Sequence, residues 1–152
     1  MVLLYGPLGA GKTKFVECLL EPMGVRDVSS PTFALHQVYP LKKISVEHFD
    51  LYRINGEEEL ESIGFWDVFQ KKKGWVLVEW ADHLKAQRLP AHWPVFEVRI
   101  RMKEIPIQKH ASKKNASTTR FFEVRERNET LTPPSELAAV KAQGLKPTSR
   151  TK

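Results

Sequence analysis

Gly6-Pro7-Leu8-Gly9-Ala10-Gly11-Lys12-Thr13 stands between an apolar run, Val2-Leu3-Leu4-Tyr5, and a stretch in which Phe15, Val16, Leu19 and Leu20 recur at helical spacing. The run before it reads as a short buried parallel strand. The stretch after it reads as an amphipathic helix that Pro22 and Gly24 close. Between the two, the glycines let the backbone curl until successive N–H groups point into one concavity, a shape that binds phosphate oxygens. Lys12 is long enough to reach the β- and γ-phosphates of a nucleotide, and the Thr13 hydroxyl can ligate Mg²⁺. The helix that begins here turns its positive end toward the same point.

Further along, residues 27–31 carry turn chemistry, and Pro31 pushes Ser30 toward an extended backbone. Residues 33–39 and 44–49 read as two strands, and the Trp75-Val76-Leu77-Val78 run reads as a third. An acidic helix start spans 57–63, and residues 65–73 continue it to a basic end, which suits the helix dipole. Residues 95–102 alternate apolar and polar side chains and can pair with 120–125 as a late antiparallel ribbon, with a polar loop at 109–119 between them. A strand, a glycine loop, a helix and then more strands predict an α/β fold of the phosphate-loop (P-loop) NTPase kind. Three layers are expected, with a mostly parallel sheet and an antiparallel strand pair late in the chain.

The chain of 152 residues suits one domain with a substantial core of its own, expected over residues 1–126. Its formal net charge of +6 is unevenly placed: residues 1–102 hold 13 Lys+Arg against 13 Asp+Glu, and residues 103–152 hold 11 against 5. The excess therefore lies late, and residues 127–152 read as a basic, solvated tail with one short helix expected at 135–143. No dense basic run or RNA-binding signature accompanies it. Met1 leads straight into the apolar run without the basic stretch and cleavage site of a signal peptide, and no run has the length of a membrane span. Cys18 has no partner for an internal disulfide, which fits a reducing cytoplasm, and its helical setting predicts a buried small hydrophobe.

A phosphate loop needs an acid at the end of another strand to hold or orient a hydrated metal. Asp50 and Glu79 both end predicted strands, so both belong at the carboxyl edge of the sheet, where open α/β folds bind ligands. Their positions leave open which one serves the metal and which one orients water. Ser29-Ser30-Pro31-Thr32-Phe33 is a hydroxyl-rich segment where a switch would sense the terminal phosphate. Trp80, next to Glu79, can line the pocket. His48 and the other histidines lack metal-ligand spacing and read as core or surface residues.

Taken together, the loop, Val28-Ser29-Ser30-Pro31-Thr32-Phe33, His48-Phe49-Asp50-Leu51-Tyr52-Arg53, Glu58-Glu59-Leu60 with Gly64, and Val78-Glu79-Trp80 resemble the TsaE (YjeE) family in order and spacing. That family is the ATPase subunit of the bacterial machinery that makes threonylcarbamoyladenosine next to the tRNA anticodon. The resemblance covers residues 1–102, with a weaker echo at 120–125. It implies a weak, Mg²⁺-dependent ATPase that acts with TsaD and TsaB and meets tRNA only through that complex. It also implies roles. The loop from Gly6 through Leu8, Gly9, Ala10 and Gly11 to Lys12 and Thr13 binds ATP; Thr13 and Glu79 ligate Mg²⁺; Thr32 belongs to the switch; Asp50 is required for hydrolysis; and Trp80 lies by the site.

Three departures accompany the resemblance. Family members carry about two dozen residues before the first strand, including part of the base pocket, whereas Met1 stands at the strand here. Ala81-Asp82-His83 replaces a segment where proline and another acid are commoner, and the tail after Arg125 is longer than expected. Two other readings use the same residues. A small-molecule kinase would need an acceptor pocket and an arginine-bearing lid, neither visible over 57–73. A non-enzymatic nucleotide- or tRNA-dependent scaffold would use the basic tail.

Overall fold

The computed structural model describes residues 1–70, 73–84, 89–90, 92–106 and 116–127. The expected tail at 127–152, apart from Arg127, and its helix at 135–143 lie outside the described residues. β1 (Val2–Tyr5) is followed by α1 (Lys12–Leu20), β2 (His36–Pro40), β3 (Ser45–Asp50), α2 (Glu57–Ser62), β4 (Trp75–Glu79), β5 (Val95–Pro106) and β6 (Ala116–Arg127). The six strands form one sheet in the order β2-β3-β4-β1-β5-β6. The three inner pairings, β3 with β4, β4 with β1 and β1 with β5, are parallel; β2 and β6 close the two edges as antiparallel strands. The expected α/β P-loop architecture, including its late antiparallel pair, is the one observed.

β1 is apolar throughout because both of its faces are covered. Leu4 turns to one side, where it packs with Val16 and Leu20 of α1 and with Val46, Leu77 and Val98 of neighbouring strands. Leu3 turns to the other, where Phe49, Leu51, Leu60, Phe65 and Val78 form the second core. α1 therefore covers one face of the sheet, and α2 with its following turns covers the other, giving three layers.

Several elements differ from their sequence reading, each for a local physical reason. Of the strand expected at 33–39 only the second half forms. Phe33 is 86% exposed, Leu35 takes a left-handed backbone at φ 64°, and the strand begins at His36. The turn ahead of it is tied to β3, since the Asp50 amide donates to the Leu35 carbonyl at 3.1 Å. The helix expected through 65–73 stops at Gly64, whose φ of 67° ends α2, and a 3₁₀ turn follows at Asp67–Gln70. That break lets Phe65, Val68 and Phe69 all reach the core. The late ribbon is longer at both ends than expected, so residues 116–119 of the expected loop are strand and residues 107–115 lie outside the described set. Cys18 is exposed, not buried, because Val16 and Leu20 face the sheet and residue 18 falls on the opposite side of the helix.

Phe49 is fully buried, stacked on His36 at 4.0 Å between ring centroids and edge-on to Phe65 at 5.0 Å. Phe49→Ala should lower unfolding free energy by about 3–5 kcal/mol, read from urea denaturation.

Candidate functional site

The parallel strands bring their carboxyl ends to one edge. Asp50 pairs in register with Glu79, and Glu79 pairs with Leu4, one residue short of the end of β1. The loop after β1 therefore opens beside both acids. Gly6 begins it with φ 148°, and a Cβ there would lie 2.7 Å from the Ile100 carbonyl oxygen, a backbone atom that cannot step aside. Gly11, at φ 100°, precedes α1 without any side-chain cap, and the first turn of the helix carries no acid. Its N-terminal N–H groups and positive end are thus presented to whatever anion occupies the cleft.

Lys12 is 5% exposed and folds back into the loop. Its Nζ donates to the carbonyls of Gly6 at 2.8 Å and Pro7 at 3.0 Å, and it lies 3.6 Å from the centre of the Trp80 ring. Burial lowers its pKa from the ordinary lysine value of 10.5, and the nearby carboxylates of Glu79, Asp50 and Asp82 oppose that shift. Trp80 is held under the ammonium by its own left-handed backbone, φ 58°, and by Tyr52, whose ring centre is 4.8 Å away.

Both acids are buried and held. The Thr13 hydroxyl donates to Glu79 Oε2 at 3.1 Å, and His48 Nε2 donates to Oε1 at 3.0 Å. Asp50 Oδ2 accepts from the hydroxyls of Ser30, at 2.9 Å, and Thr32, while Oδ1 accepts from the Tyr52 amide at 2.9 Å. Position in the fold thus separates two acids that the sequence left equivalent. Glu79 faces the loop threonine, and Asp50 faces the hydroxyl-rich segment.

Leu8, Gly9, Gly11, Lys12, Thr13, Thr32, Asp50, Glu79 and Trp80, all expected at the site, line one cleft of about 290 Å³ together with Ser30. Gly6 and Ala10, also expected at the site, are not among the residues that line it. The Gly6 carbonyl holds Lys12, and the Ala10 side chain is fully buried in the core. Among the described residues there is no cluster of three or more His, Cys, Asp or Glu side chains that could cage a metal. The oxygen donors of Thr13 and Glu79 instead suit a cation such as Mg²⁺, which takes few protein ligands and keeps water and phosphate oxygens for the rest.

A family model described as "Threonylcarbamoyl adenosine biosynthesis protein TsaE" matches residues 1–115. The chain belongs to the TsaE family. It is 35% identical over 104 residues to the tRNA threonylcarbamoyladenosine biosynthesis protein TsaE of Rickettsia prowazekii, covering 67% of this chain and 69% of that one. To the protein of the same name from Bacillus subtilis it is 42% identical over 88 residues, 57% of this chain and 53% of the relative. To that of Haemophilus influenzae it is 41% identical over 83 residues, 54% and 52% respectively. The chain thus spans between about half and two thirds of these relatives. Among solved structures, Bacillus subtilis YdiB is similar at 29% identity, with a TM-score of 0.43 over 64% of this chain and 57% of that one.

Within this TsaE-family chain, the Ala81-Asp82-His83 segment adjoins the site, with His83 edge-on to Trp80 at 6.4 Å between ring centroids. It forms a 3₁₀ turn, Ala81–Leu84, anchored where His83 Nδ1 donates to the Ile54 carbonyl at 2.6 Å. Two residues at the site escaped the sequence reading. Arg120 of β6 reaches the loop from the far edge of the sheet, with no local signal to announce it. His48 was read as an ordinary histidine, yet it is fully buried against Glu79. Strand parity could have found it, since His48 and Asp50 point to the same face and Glu79 lies diagonally across the parallel pair. The Nδ1 atom of His48 is buried and has no hydrogen-bond partner among the described residues. His48→Leu would strip Glu79 Oε1 of its donor in a buried setting. It should cost about 1–3 kcal/mol of stability, measured by thermal or urea unfolding.

Proposed function

We propose that this chain binds ATP with Mg²⁺ and hydrolyses it slowly to ADP and phosphate, as the subunit whose ATP cycle supports threonylcarbamoylation of adenosine next to the tRNA anticodon. In this reading TsaD and TsaB are its partners, they set its turnover, and tRNA is met only through them. The observation that carries the reading is the convergence of Lys12, the Thr13–Glu79 pair and the Asp50–Thr32 pair on a single cleft. The relatives named above are threonylcarbamoyladenosine biosynthesis proteins, which supports the pathway. No helix among the described residues is long and apolar enough to cross a membrane, and a cytoplasmic location belongs to the proposal.

The roles follow from what each group already does. Lys12 Nζ holds two carbonyls of its own loop; phosphate oxygens would replace them and add negative charge to that of the nearby carboxylates, offsetting the loss of solvent. The N–H groups of the loop and of the start of α1 would bind the phosphates and stabilise charge on the transferred group. Thr13 and Glu79 would hold Mg²⁺, which would supply positive charge beside the phosphates. A carboxylate offers about four acceptor positions, and Asp50 has donors from Ser30, Thr32 and the Tyr52 amide. What remains is an acceptor held in a set direction, suited to orienting the attacking water. Ser30 and Thr32 would register the terminal phosphate through the same carboxylate.

Asp50→Ala should lower kcat for ATP hydrolysis by about 10²-fold or more while ATP binding persists. Turnover assays with and without TsaD and TsaB, paired with direct binding measurements, check this, and wild-type turnover in the variant would sink the assignment. Lys12→Met should abolish the rise in melting temperature that ATP produces without lowering the melting temperature of the ligand-free protein, because a buried cation is removed along with the phosphate contact. The pH dependence has a definite sign. Lys12 has a folded-state pKa below its unfolded value of 10.5, so the unfolded chain holds the extra proton between the two. This group therefore adds stability as pH rises through that interval, and Lys12→Met should flatten that contribution in thermal melts.

A further inference from the structure

β6 is the outermost strand on its side of the sheet, and Arg120 stands opposite Met102 in its register. From there its guanidinium reaches back to the phosphate loop, 110 residues earlier in the chain. Nε donates to the Ala10 carbonyl at 3.1 Å, and Nη2 reaches the Gly9 carbonyl at 3.5 Å. A Cβ built on Gly11 would lie 3.6 Å from Nε, so the arginine side chain lies against the loop itself.

The consequence comes from peptide geometry. In a trans peptide the C=O and the next N–H point in opposite directions. A donor that fixes the Ala10 carbonyl on the outside of the loop therefore holds the Gly11 N–H toward the inside. Gly9 and Gly11 flank this unit, and glycine gives the backbone its greatest freedom to turn over. A loop rich in glycine can adopt the phosphate-binding shape, and the same freedom lets it leave that shape. A planar guanidinium with donors in a fixed fork is well matched to two adjacent carbonyls, which a lysine ammonium could meet only as a point charge.

We propose that Arg120 is a positioning residue for the phosphate loop, an outer-strand strut that keeps the Gly9 and Ala10 carbonyls turned out and the loop N–H groups turned toward the bound phosphate. The proposal rests on the nucleotide-binding reading of the cleft for its effect on affinity, but its effect on the loop does not. It also makes the β5–β6 ribbon part of the site, since any shift of β6 is transmitted to the loop through Arg120.

The test uses the full chain with Arg120→Ala, Arg120→Lys and, as a control on the same strand, Arg125→Ala, whose guanidinium is occupied by Glu123. Calorimetric titrations with Mg-ADP and with Mg-pyrophosphate read the phosphate site with and without a base. Amide order parameters of Gly9 and Gly11 in the ligand-free protein read the loop directly. Arg120→Ala should weaken both ligands by the same factor, about tenfold, Arg120→Lys should recover part of the loss, and Arg125→Ala should match wild type. In Arg120→Ala the order parameters of the two glycines should fall from about 0.85 toward 0.6, with the rest of the chain unchanged. Unchanged affinities with unchanged order parameters overturn the proposal. A loss for ADP but not for pyrophosphate also overturns it, since it would make Arg120 a platform for the base. Should the wild-type chain bind neither ligand, the nucleotide reading fails, and the order parameters alone then decide whether Arg120 holds the loop.

Discussion

Parallel pairing of β3, β4 and β1 is the constraint on which the cleft depends. Strands that run the same way end on the same edge, so the two acids and the glycine loop meet there although 29 residues of sequence separate Asp50 from Glu79 and far more separate Glu79 from the loop. Register matters as much as direction. A slip of one residue in β4 would turn Glu79 to the opposite face and bring Val78 in its place. The Thr13 and His48 contacts would be lost together. Such a slip is costly because it would carry the buried Glu79 carboxylate away from both of its donors and into an apolar core.

The cleft concentrates charge where water is scarce. Lys12 lies among Glu79, Asp50 and Asp82, and the two strand-end acids are themselves buried. Burial of an ion is tolerated when hydrogen bonds and opposite charges surround it, and each of these groups is so surrounded. Glu79 has a donor on each oxygen, Asp50 has donors on both, and Lys12 has two carbonyls and the face of Trp80. For Lys12 burial still outweighs its neighbours, and its pKa falls. The described side chains of the cleft thus form a connected network of hydrogen bonds and opposite charges.

Much of this was legible from side-chain order alone. The strand, glycine loop and helix at the amino end follow from local pattern, and so do β3, β4 and the strand-end placement of Asp50 and Glu79. The misreadings have separate causes. Phe33 and Leu35 have strand-like character, but Asp50 draws Ser30, Thr32 and the Leu35 carbonyl onto itself and turns the segment before His36 into a tight bend. Residues 65–73 have helical spacing, yet Gly64 breaks the helix so that Phe65 and Phe69 can both reach the core. Cys18 was expected to be buried from its helical setting, but the stripe through Val16 and Leu20 already placed it on the outer face.

By itself the sequence determined the phosphate loop, its strand and helix, the α/β class and the two acids, because each depends on neighbours a few residues away. The family assignment rests on motifs of the same local kind. Tertiary structure alone decided which acid faces Thr13 and which faces the hydroxyl segment, that His48 is the second donor to Glu79, that Trp80 lies under Lys12, and that Arg120 reaches the loop. Those outcomes depend on strand order and register, which are set by how two cores pack on opposite faces of one sheet. No run of adjacent residues encodes that packing, because the partners it joins are distant in sequence and close only once the sheet has formed.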